Sequence, residues 1–374
     1  MKSCKQKTGQ SQQRYEMMSS YPDNMNITKR ARSGLQEIFI TASVRPGQML
    51  ADLYRQAAQW LATQQAAIVH ADLFGRPDDT LVLGAAELAH LPATYLTNSE
   101  GNLAGLHIWA VQGAEVRTLH YRDQVIGRFF EDADCRYCRL GGVLPHDFTA
   151  DPAEQTGQVF EALQAGLHQV DMDYSHVIRT WFYNDRITDW YDSFNQVRTD
   201  LYQQLGTFKG LVPASTGIGS RNARDYMLVA GLFAVVPKHD RVSQVMVASP
   251  LQGEAWDYGS SFSRAVELAT PAHKYLTISG TASIAPEGHT LHLNDAGKQT
   301  ELTLQVVDKI LASRDFAWAD VTRAYAYFKH AHDAHHLDRC LQALEIPRFP
   351  YLVVKNDVCR DDLLFELELD AVRS

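Results

Sequence analysis

The sequence predicts an α+β protein built from tandem modules that pack with pseudo-threefold symmetry. An internal repeat supports this prediction, because Thr156 aligns with Thr300 and Arg179 aligns with Arg323 at one shared offset, 300 − 156 = 144, without a gap. Each copy also has the same order of patterns: strand, loop, helix, strand, helix and a closing pair of strands. Repeated units of this kind bury their apolar faces against one another.

The second copy shows the pattern most clearly. The β-branched stretch "YLTISGTASI" predicts a strand. The stretch "KQTELTLQVVDKILAS" predicts a helix, because Leu302, Val306 and Ile310 recur at helical spacing. "VTRAYAYFK" and "AHHLDRCLQAL" predict a further strand and helix, and the copy closes on "DLLFELELDAV". The first copy closes on the apolar "YMLVAGLFAVV".

A fainter third copy lies upstream, in "EIFITASVRPGQMLADLYRQAAQWLATQQAAIVHADLFG". The polar start of the chain lacks the apolar segment of a signal peptide, and we interpret it as a disordered tail. The predicted organisation is a tail over residues 1–34, a degenerate α+β module over 35–130, a second module over 131–245 and a C-terminal catalytic module over 246–374.

Composition limits the classes of function. The 374-residue chain has a net charge of −9, which argues against a broad nucleic-acid surface. Its five cysteines are sparse and odd in number, which indicates a reducing compartment rather than a disulfide scaffold. No apolar run has the length of a membrane span. The sequence therefore predicts a cytoplasmic protein that binds neither nucleic acid nor membrane.

The closing strands of the two clear copies differ in polarity. In our alignment Ala230 lies opposite Glu366, and Leu232 lies opposite Glu368, so the second copy has carboxylates where the first is apolar. A carboxyl group in a sheet-lined cleft has a raised pKa, because burial disfavours its charged form. Such a group is suited to general acid catalysis near neutral pH. The alternative is that Glu366 and Glu368 occupy the solvent-exposed face of an edge strand.

Seven motifs resemble a known family. They are "RTWFY" (179–183), "FNQVR" (194–198), "PASTGIGS" (213–220), "YGSSFSRA" (258–265), "ISGTASI" (278–284), "AYFK" (326–329) and "DVCRDDLLFELE" (357–368). The repeated module resembles the YjgF-type reactive-intermediate deaminase (Rid) superfamily, which has a chorismate-mutase-like α+β architecture. Within it the motifs resemble the chorismatases, which hydrolyse the enolpyruvyl ether of chorismate. The resemblance implies YjgF/Rid-like modules around a threefold axis, with clefts between neighbours.

The resemblance also implies a set of site residues. Glu366 is expected to protonate the terminal methylene of the ether, which creates an oxocarbenium ion. Guanidinium groups suit bidentate carboxylate binding. The expected substrate-binding residues are Arg198 and Arg264 at the carboxylates, Arg179, Tyr183 and Lys329 along the cleft, and Thr216 through its hydroxyl and backbone amide groups.

Two residues bear on the product. Some chorismatases release a dihydrodiol and others 3-hydroxybenzoate, and the resemblance associates the latter with a small residue in the "SGTAS" strand and a cysteine before the acid. Gly280 and Cys359 (366 − 359 = 7) fit this pattern. Cys359 also fits a packed thiol. The resemblance implies a small anionic, chorismate-like substrate and neither a metal nor an organic cofactor, and we expect a monomer because three modules complete the ring in one chain.

Other interpretations remain open. A deaminase of enamines or imines would use the same cleft, but the carboxylate-binding arginine of that superfamily has only Arg348 nearby, in an uncertain register. A non-catalytic binding protein for small aromatic acids is a third candidate. The pair Cys135 and Cys138 has metal-ligand spacing without a second pair, so we expect it to be a packing feature that precedes a strand.

Overall fold

The structure is a computed structural model that describes residues 24–32, 34–76, 92–97, 103–222, 224–258 and 260–374. Within these ranges the chain forms three mixed sheets, each from one module. Helices cover the outer face of each sheet, and the three inner faces meet around a common centre. No helix in the described part of the chain is both long and apolar enough to span a membrane.

The first module has five strands in the order β1-β2-β5-β3-β4 and one long helix. Its elements are β1 (Met25–Arg32), β2 (Leu35–Ser43), α1 (Leu50–Thr63), β3 (Ala67–Phe74), β4 (Ala93–Leu96) and β5 (Gly105–Gln112). The apolar side of α1, which includes Leu53, Ala57 and Leu61, packs against the sheet. This burial stabilises the helix, since isolated helices of this length are marginal in water.

The second module has six strands in the order β10-β9-β11-β8-β7-β6. Its elements are β6 (Arg117–Tyr121), β7 (Gln124–Glu131), β8 (Cys135–Val143), α2 (Pro152–His168), β9 (Val177–Asn184), α3 (Ile187–Gln204), β10 (Ala214–Gly219) and β11 (Leu228–Pro237). The helix α2 begins after Asp151, whose side chain accepts a hydrogen bond from the Glu154 amide, and Pro152 fits the first turn because it has no amide proton to satisfy.

The third module repeats the second, with the strand order β16-β15-β17-β14-β13-β12. Its elements are β12 (Ser243–Val247), β13 (Ala265–Ala269), β14 (Lys274–Ala282), α4 (Ala296–Ser313), β15 (Val321–Phe328), α5 (His335–Ala343), β16 (Leu352–Lys355) and β17 (Phe365–Arg373). Asp295 caps α4 by accepting from the Lys298 amide, as Asp151 caps α2. The first sheet has the same order without the outermost strand, so the fainter upstream copy is a genuine module.

The tandem α+β modules and their pseudo-threefold packing are confirmed. The central core draws aromatic residues from all three sheets, with Trp109 against Phe233 at 5.2 Å between ring centroids and Phe74 against Tyr325 at 4.8 Å. The outward side chains of each sheet pack instead under that module's helices. Each strand therefore contributes alternate residues to the centre and to its own helix layer.

Two predicted module boundaries are wrong. Residues 25–32, predicted as tail, form β1 and pair with β2 along its whole length. This strand was hidden in the sequence because it is a sheet edge with polar side chains such as Lys29 and Arg30, which are typical of protected edges. The second module begins at Arg117 rather than residue 131, because β6 and β7 pair with each other and then with β8. The rest of the predicted tail, residues 1–23, lies outside the described residues.

Candidate active site

The strand register corrects the alignment of the closing strands. Glu366 pairs with Tyr327, and Val229 pairs with Tyr183, the equivalent of Tyr327 in the repeat. Glu366 is therefore equivalent to Val229 (366 − 229 = 137), and the predicted match with Ala230 is wrong by one residue. The difference matters because one residue exchanges the two faces of a strand. Ala230 faces the helices of its module.

The contrast between the copies survives this correction. The inward positions of β11 are apolar and those of β17 are acidic: Val229, Gly231 and Phe233 correspond to Glu366, Glu368 and Asp370. The intervening residues Leu367 and Leu369 face the helix layer, so the alternation read from the sequence separates a charged inner face from an apolar outer face. The carboxylates thus lie inside the molecule and not on an exposed edge.

Glu366 lies where the second module meets the third. There β10 runs beside β14, joined by a hydrogen bond from the Ser215 amide to Ser279 Oγ at 2.8 Å. The Glu366 side chain rests directly on Gly280, since a Cβ built on that glycine would lie 2.0 Å from Glu366 Oε1. Only 5% of Glu366 is exposed. Glycine is required here because the carboxyl group occupies the place of its side chain.

The Glu366 carboxyl group holds its proton at neutral pH. Burial and, next to it, the charge of Glu368 raise its pKa to about 8, while Arg179 opposes them by favouring the charged form. A protonated carboxyl group is the chemical group that a general acid requires. The interior position predicted for Glu366 from the sequence is therefore the one that the structure gives it.

Beside Glu366, Glu368 binds five donors. Its Oε2 accepts from Arg179 Nη2 at 2.5 Å and from the Thr216 hydroxyl. Its Oε1 accepts from Arg323 Nη1 at 2.7 Å, from Trp181 Nε1 at 3.2 Å and from the Tyr327 hydroxyl at 3.4 Å. The two arginines neutralise a carboxylate that has no exposure to solvent, which a buried charge requires.

Thr216 is part of the same site, but its hydroxyl is already committed. It accepts from Arg179 Nη2 at 2.6 Å and from the Gly280 amide at 3.0 Å, and it donates to Glu368. A threonine hydroxyl has one donor and two acceptor positions, so all are used within the protein. The predicted role of this hydroxyl as a donor to a substrate carboxylate does not fit that arrangement.

A polar cleft of about 740 Å³ opens at Tyr191 and Cys359, two residues that neighbour Glu366. Glu366 and Gly280 are not themselves among its lining residues. Its lining among the described residues comes from the start of α3, from Ser260 and from the loop before β17: Thr188, Asp189, Trp190, Tyr191, Asp192, Ser193, Asn195, Gln196, Thr199, Ser260, Cys359, Arg360 and Asp361. Cavities of several hundred Å³ hold small organic ligands. The cleft therefore has room for a ten-carbon substrate.

Cys359 and Tyr191 connect the cleft to Glu366. Burial and the neighbouring Glu366 together raise the pKa of the Cys359 thiol to about 12, so the thiol stays protonated. Burial also raises the pKa of the Tyr191 hydroxyl, with Cys359 and Glu366 contributing. A neutral thiol is a poor nucleophile. Cys359, predicted as a catalytic residue, is thus placed to shape the cleft beside the acid.

Tyr191 was not predicted. Its position depends on an irregular start of α3, where Trp190 has non-helical backbone angles (φ −147°, ψ 15°) inside the helix. A signal was present in the sequence, because Tyr191, Asn195 and Arg198 recur at helical spacing. The non-helical turn that positions the ring has no signature of its own in the sequence.

The two arginines expected at substrate carboxylates lie outside the described cleft lining. Arg198 is buried and donates to Asn195 Oδ1 at 2.6 Å, so it reaches the cleft through that residue. Arg264 donates to the Gly253 carbonyl oxygen through Nε at 2.9 Å and Nη2 at 2.5 Å. Arg360 is a cation within the lining and was not predicted.

The remaining predicted residues are also displaced from the cleft. Tyr183 is fully buried in the central core, where burial and the nearby Asp72 raise the pKa of its hydroxyl. Lys329 donates to the Asp361 carbonyl oxygen at 2.7 Å, which fastens one residue of the cleft rim. Arg179 is buried behind Glu366, bound to Thr216 and Glu368.

At each of the other two module interfaces, a described side chain fills the space over a glycine. Between the first and second modules, the His70 ring occupies the space above Gly141, where a built Cβ would lie 2.1 Å from the ring. Between the third and first modules, Leu352 packs against Gly105, at 2.8 Å from its built Cβ. By strand register Gly105 is the equivalent of Glu366, and Leu352 is the equivalent of Thr216.

The described residues offer no cluster of three or more side chains that could hold a metal ion. Cys135 and Cys138 lie on opposite faces of β8, one in the central core and the other under the helices, so they cannot converge on one ion. Both cysteines are buried, as the predicted packing role requires, but they lie within β8 and not before a strand.

Comparison with solved structures follows this geometry. The crystal structure of a chorismatase superimposes with a TM-score of 0.62 at 18% sequence identity, covering 81% of this chain and 92% of that chain. This chain has the chorismatase fold. The fold implied by the sequence motifs is therefore confirmed. The sequence matches no protein-family model and no curated protein.

Single-module proteins are also similar over a third of the chain. A YjgF/YER057c/UK114 family member from Mycobacterium tuberculosis has a TM-score of 0.28 at 24% identity, covering 34% of this chain and 98% of its own. TdcF from E. coli, solved with bound serine, has a TM-score of 0.29 at 17% identity, covering 35% of this chain and 99% of its own.

Proposed function

We propose that this protein is a chorismatase-like hydrolase, which cleaves the enolpyruvyl ether of chorismate and releases pyruvate. The observation that supports this most directly is the buried Glu366 carboxyl, protonated at neutral pH beside a cleft of suitable size. The motif resemblance and the shared fold point the same way. The second product is 3-hydroxybenzoate or a dihydroxycyclohexadiene carboxylate.

Glu366 is the proton donor in this proposal. The electron pair of the enol ether takes the proton of Glu366 at the terminal methylene, and a C–H bond forms. The adjacent carbon becomes an oxocarbenium ion, and the carboxylate left on Glu366 stabilises that positive charge at short range. Water adds to this carbon and loses a proton, which gives a hemiketal. The bond between this carbon and the ether oxygen then breaks, the oxygen stays on the ring and takes up a proton, and pyruvate leaves together with a dihydrodiol. Loss of one water from the dihydrodiol gives 3-hydroxybenzoate.

Substrate binding requires cations for the two carboxylates of chorismate. Arg360 lines the cleft and is the side chain we expect to contact one of them. Arg198 does not line the cleft. It donates a hydrogen bond to the cleft residue Asn195 and so fixes the position of that side chain. Asp189, Asp192 and Asp361 give the cleft an acidic rim. A dianion must therefore bind beyond that rim, closer to Glu366.

Gly280 and Cys359 relate to the product in different ways. Gly280 is needed to seat the Glu366 carboxyl, whichever product forms. Cys359 places a neutral thiol next to the acid and Tyr191, where it affects the shape available to the ring. The 3-hydroxybenzoate outcome rests on the resemblance at these two positions. We propose a monomer that needs no further subunit to complete this site.

The test is pyruvate release from chorismate by the purified protein, with the aromatic product identified by mass spectrometry. Glu366→Gln keeps the size of the side chain and should lower the rate by about 10²- to 10⁴-fold, the usual contribution of a general acid. Glu301→Gln, on the exposed side of α4, is the matched control and should have no effect.

Other outcomes would identify the alternatives. Ammonia released from an imino-acid generator, without pyruvate from chorismate, would favour an enamine or imine deaminase. Thermal stabilisation by small aromatic acids without turnover would indicate a binding protein. Pyruvate release that persists in Glu366→Gln would keep the reaction and remove this residue as its acid.

A further inference from the structure

Glu368 has contacts that connect it to the proposed acid by two routes. It is the residue two positions after Glu366, on the same inward face of β17, and it has no exposure to solvent. Its five donors come from both modules that form the cleft: Arg179, Trp181 and Thr216 from the second, and Arg323 and Tyr327 from the third. Because every partner donates, the site is built around a carboxylate.

The first route runs through Thr216. Its two acceptor positions are taken by Arg179 and by the Gly280 amide, so its hydrogen must point to Glu368. The orientation of Thr216 is therefore fixed by Glu368. Gly280 in turn lies directly beneath the Glu366 carboxyl. A substitution at Glu368 should therefore disturb Thr216 and Gly280, on which the Glu366 carboxyl rests.

The second route is electrostatic. Charged and titratable groups face Glu366 from each element around it: Glu368 on its own strand, Tyr327 on β15, Arg179 on β9, Tyr191 on α3, and Cys359 and Arg360 on the loop before β17. The two hydroxyls and the thiol are neutral near pH 7. A fixed negative charge in a buried site disfavours a second one nearby.

We propose that Glu368 is a positioning residue for Glu366: its carboxylate, locked by two arginines, keeps the proton on the Glu366 carboxyl and holds Thr216 and Gly280 beneath it. The inference rests on the proposed role of Glu366 as the acid. The inference assigns different functions to the two neighbouring glutamates. Glu366 gives up a proton, and Glu368 remains a permanent anion that touches neither the substrate nor the reacting atoms.

The experiment is an infrared titration of the protonated carboxyl band in the substrate-free protein. The band that disappears in Glu366→Gln belongs to Glu366, and in the unaltered protein it should titrate near pH 8. In Glu368→Gln it should titrate at lower pH, by roughly one unit or more. Asp370→Asn is the matched control, because Asp370 is another buried carboxylate on β17 held by Arg323, at 2.7 Å. It should leave the band unchanged.

If Glu368→Gln does not fold, a second variant allows the same measurement. The double variant Glu368→Gln/Arg179→Met removes an anion together with its cation and leaves the Arg323–Asp370 pair in place. The Glu366 band should still titrate at lower pH than in the unaltered protein, but the difference should be smaller than in Glu368→Gln alone. The reason is that Arg179 lowers the pKa of Glu366 less strongly than Glu368 raises it. A band that titrates alike with and without Glu368 would overturn the inference. This readout needs no substrate, so it is independent of whether chorismate is turned over.

Discussion

The interface between the second and third modules differs from the two other module interfaces in what fills it. At all three, a glycine-containing bulge or closing strand of one module meets the outer strand of the next. At one interface His70 covers Gly141, and at another Leu352 covers Gly105, so each is packed shut. At the third, the space over Gly280 holds the Glu366 carboxyl. Among the described residues, the repeated frame thus carries a buried carboxyl group over a glycine at one interface and a packed histidine or leucine at the other two.

The largest expected effect concerns the ionisation of Glu366. Activity should fall as the pH rises through about 8, since the acid must be protonated. Stability follows from the same shift. The folded protein keeps this proton up to about pH 8, whereas an unfolded glutamate loses it near 4.5, so the free energy of unfolding falls between these pH values.

Glu366→Gln removes this dependence on pH. At pH 9 the variant should be more stable than the unaltered protein by roughly 2–4 kcal/mol, and at pH 4 the two should be equal. Urea unfolding at the two pH values is the measurement. A variant that loses stability at pH 9 would show that the ionised carboxylate is favoured in the fold.

Gly280→Ala tests the seat of the acid. The added methyl group displaces the end of a flexible side chain, so the fold should survive with a loss within about 1 kcal/mol, while pyruvate release falls roughly 10- to 100-fold because the acid is misplaced. Gly157→Ala, on the exposed side of α2 with open space around it, is the control. A Gly280→Ala variant with unchanged activity would show that the position of the Glu366 carboxyl does not matter for the reaction.

Leu352→Ala tests a closed interface. It leaves a cavity against Gly105 and should cost about 2–4 kcal/mol in the free energy of unfolding. Pyruvate release measured well below the melting temperature should not change, because this interface holds no part of the site. Leu293→Ala, at an exposed leucine, should leave stability unaltered.

Gly141→Ala tests the other closed interface, with a smaller effect. The new methyl group meets the His70 ring, which is buried and held by Asp72 at 2.9 Å, so the ring cannot move aside freely. We expect a loss of about 1–3 kcal/mol by thermal unfolding, typical of overpacking. Retained stability would mean that this interface is looser than the packing of His70 indicates.

The sequence contained the frame of the molecule and the residue that we propose as its acid. The 144-residue offset between Arg179 and Arg323 is exact in the structure, because both occupy the same position after the bulge at the start of β9 and β15. The alternation in "FELELDAV" correctly separated Glu366 and Glu368 from the leucines between them. These features are local, so a periodic pattern is enough to predict them.

Features that depend on irregular turns and on individual side-chain contacts were missed. The register of β11 against β17 was wrong by one residue, because sequence similarity is weak where one copy is apolar and the other acidic. Arg264 was expected at a substrate carboxylate and instead binds the Gly253 carbonyl. Tyr191 was missed because an irregular turn at Trp190 positions it. No pattern in the sequence specifies which partner a side chain meets across an interface.

The most direct test is a crystal structure of Glu366→Gln soaked with chorismate. We expect one bound molecule, between the second and third modules, with its enolpyruvyl methylene within about 3–3.5 Å of the residue 366 side chain, as a near-attack geometry requires. The two other interfaces should remain closed by His70 and Leu352. Chorismate bound elsewhere, or in this cleft with its methylene turned away from residue 366, would contradict the assignment of Glu366 as the proton donor.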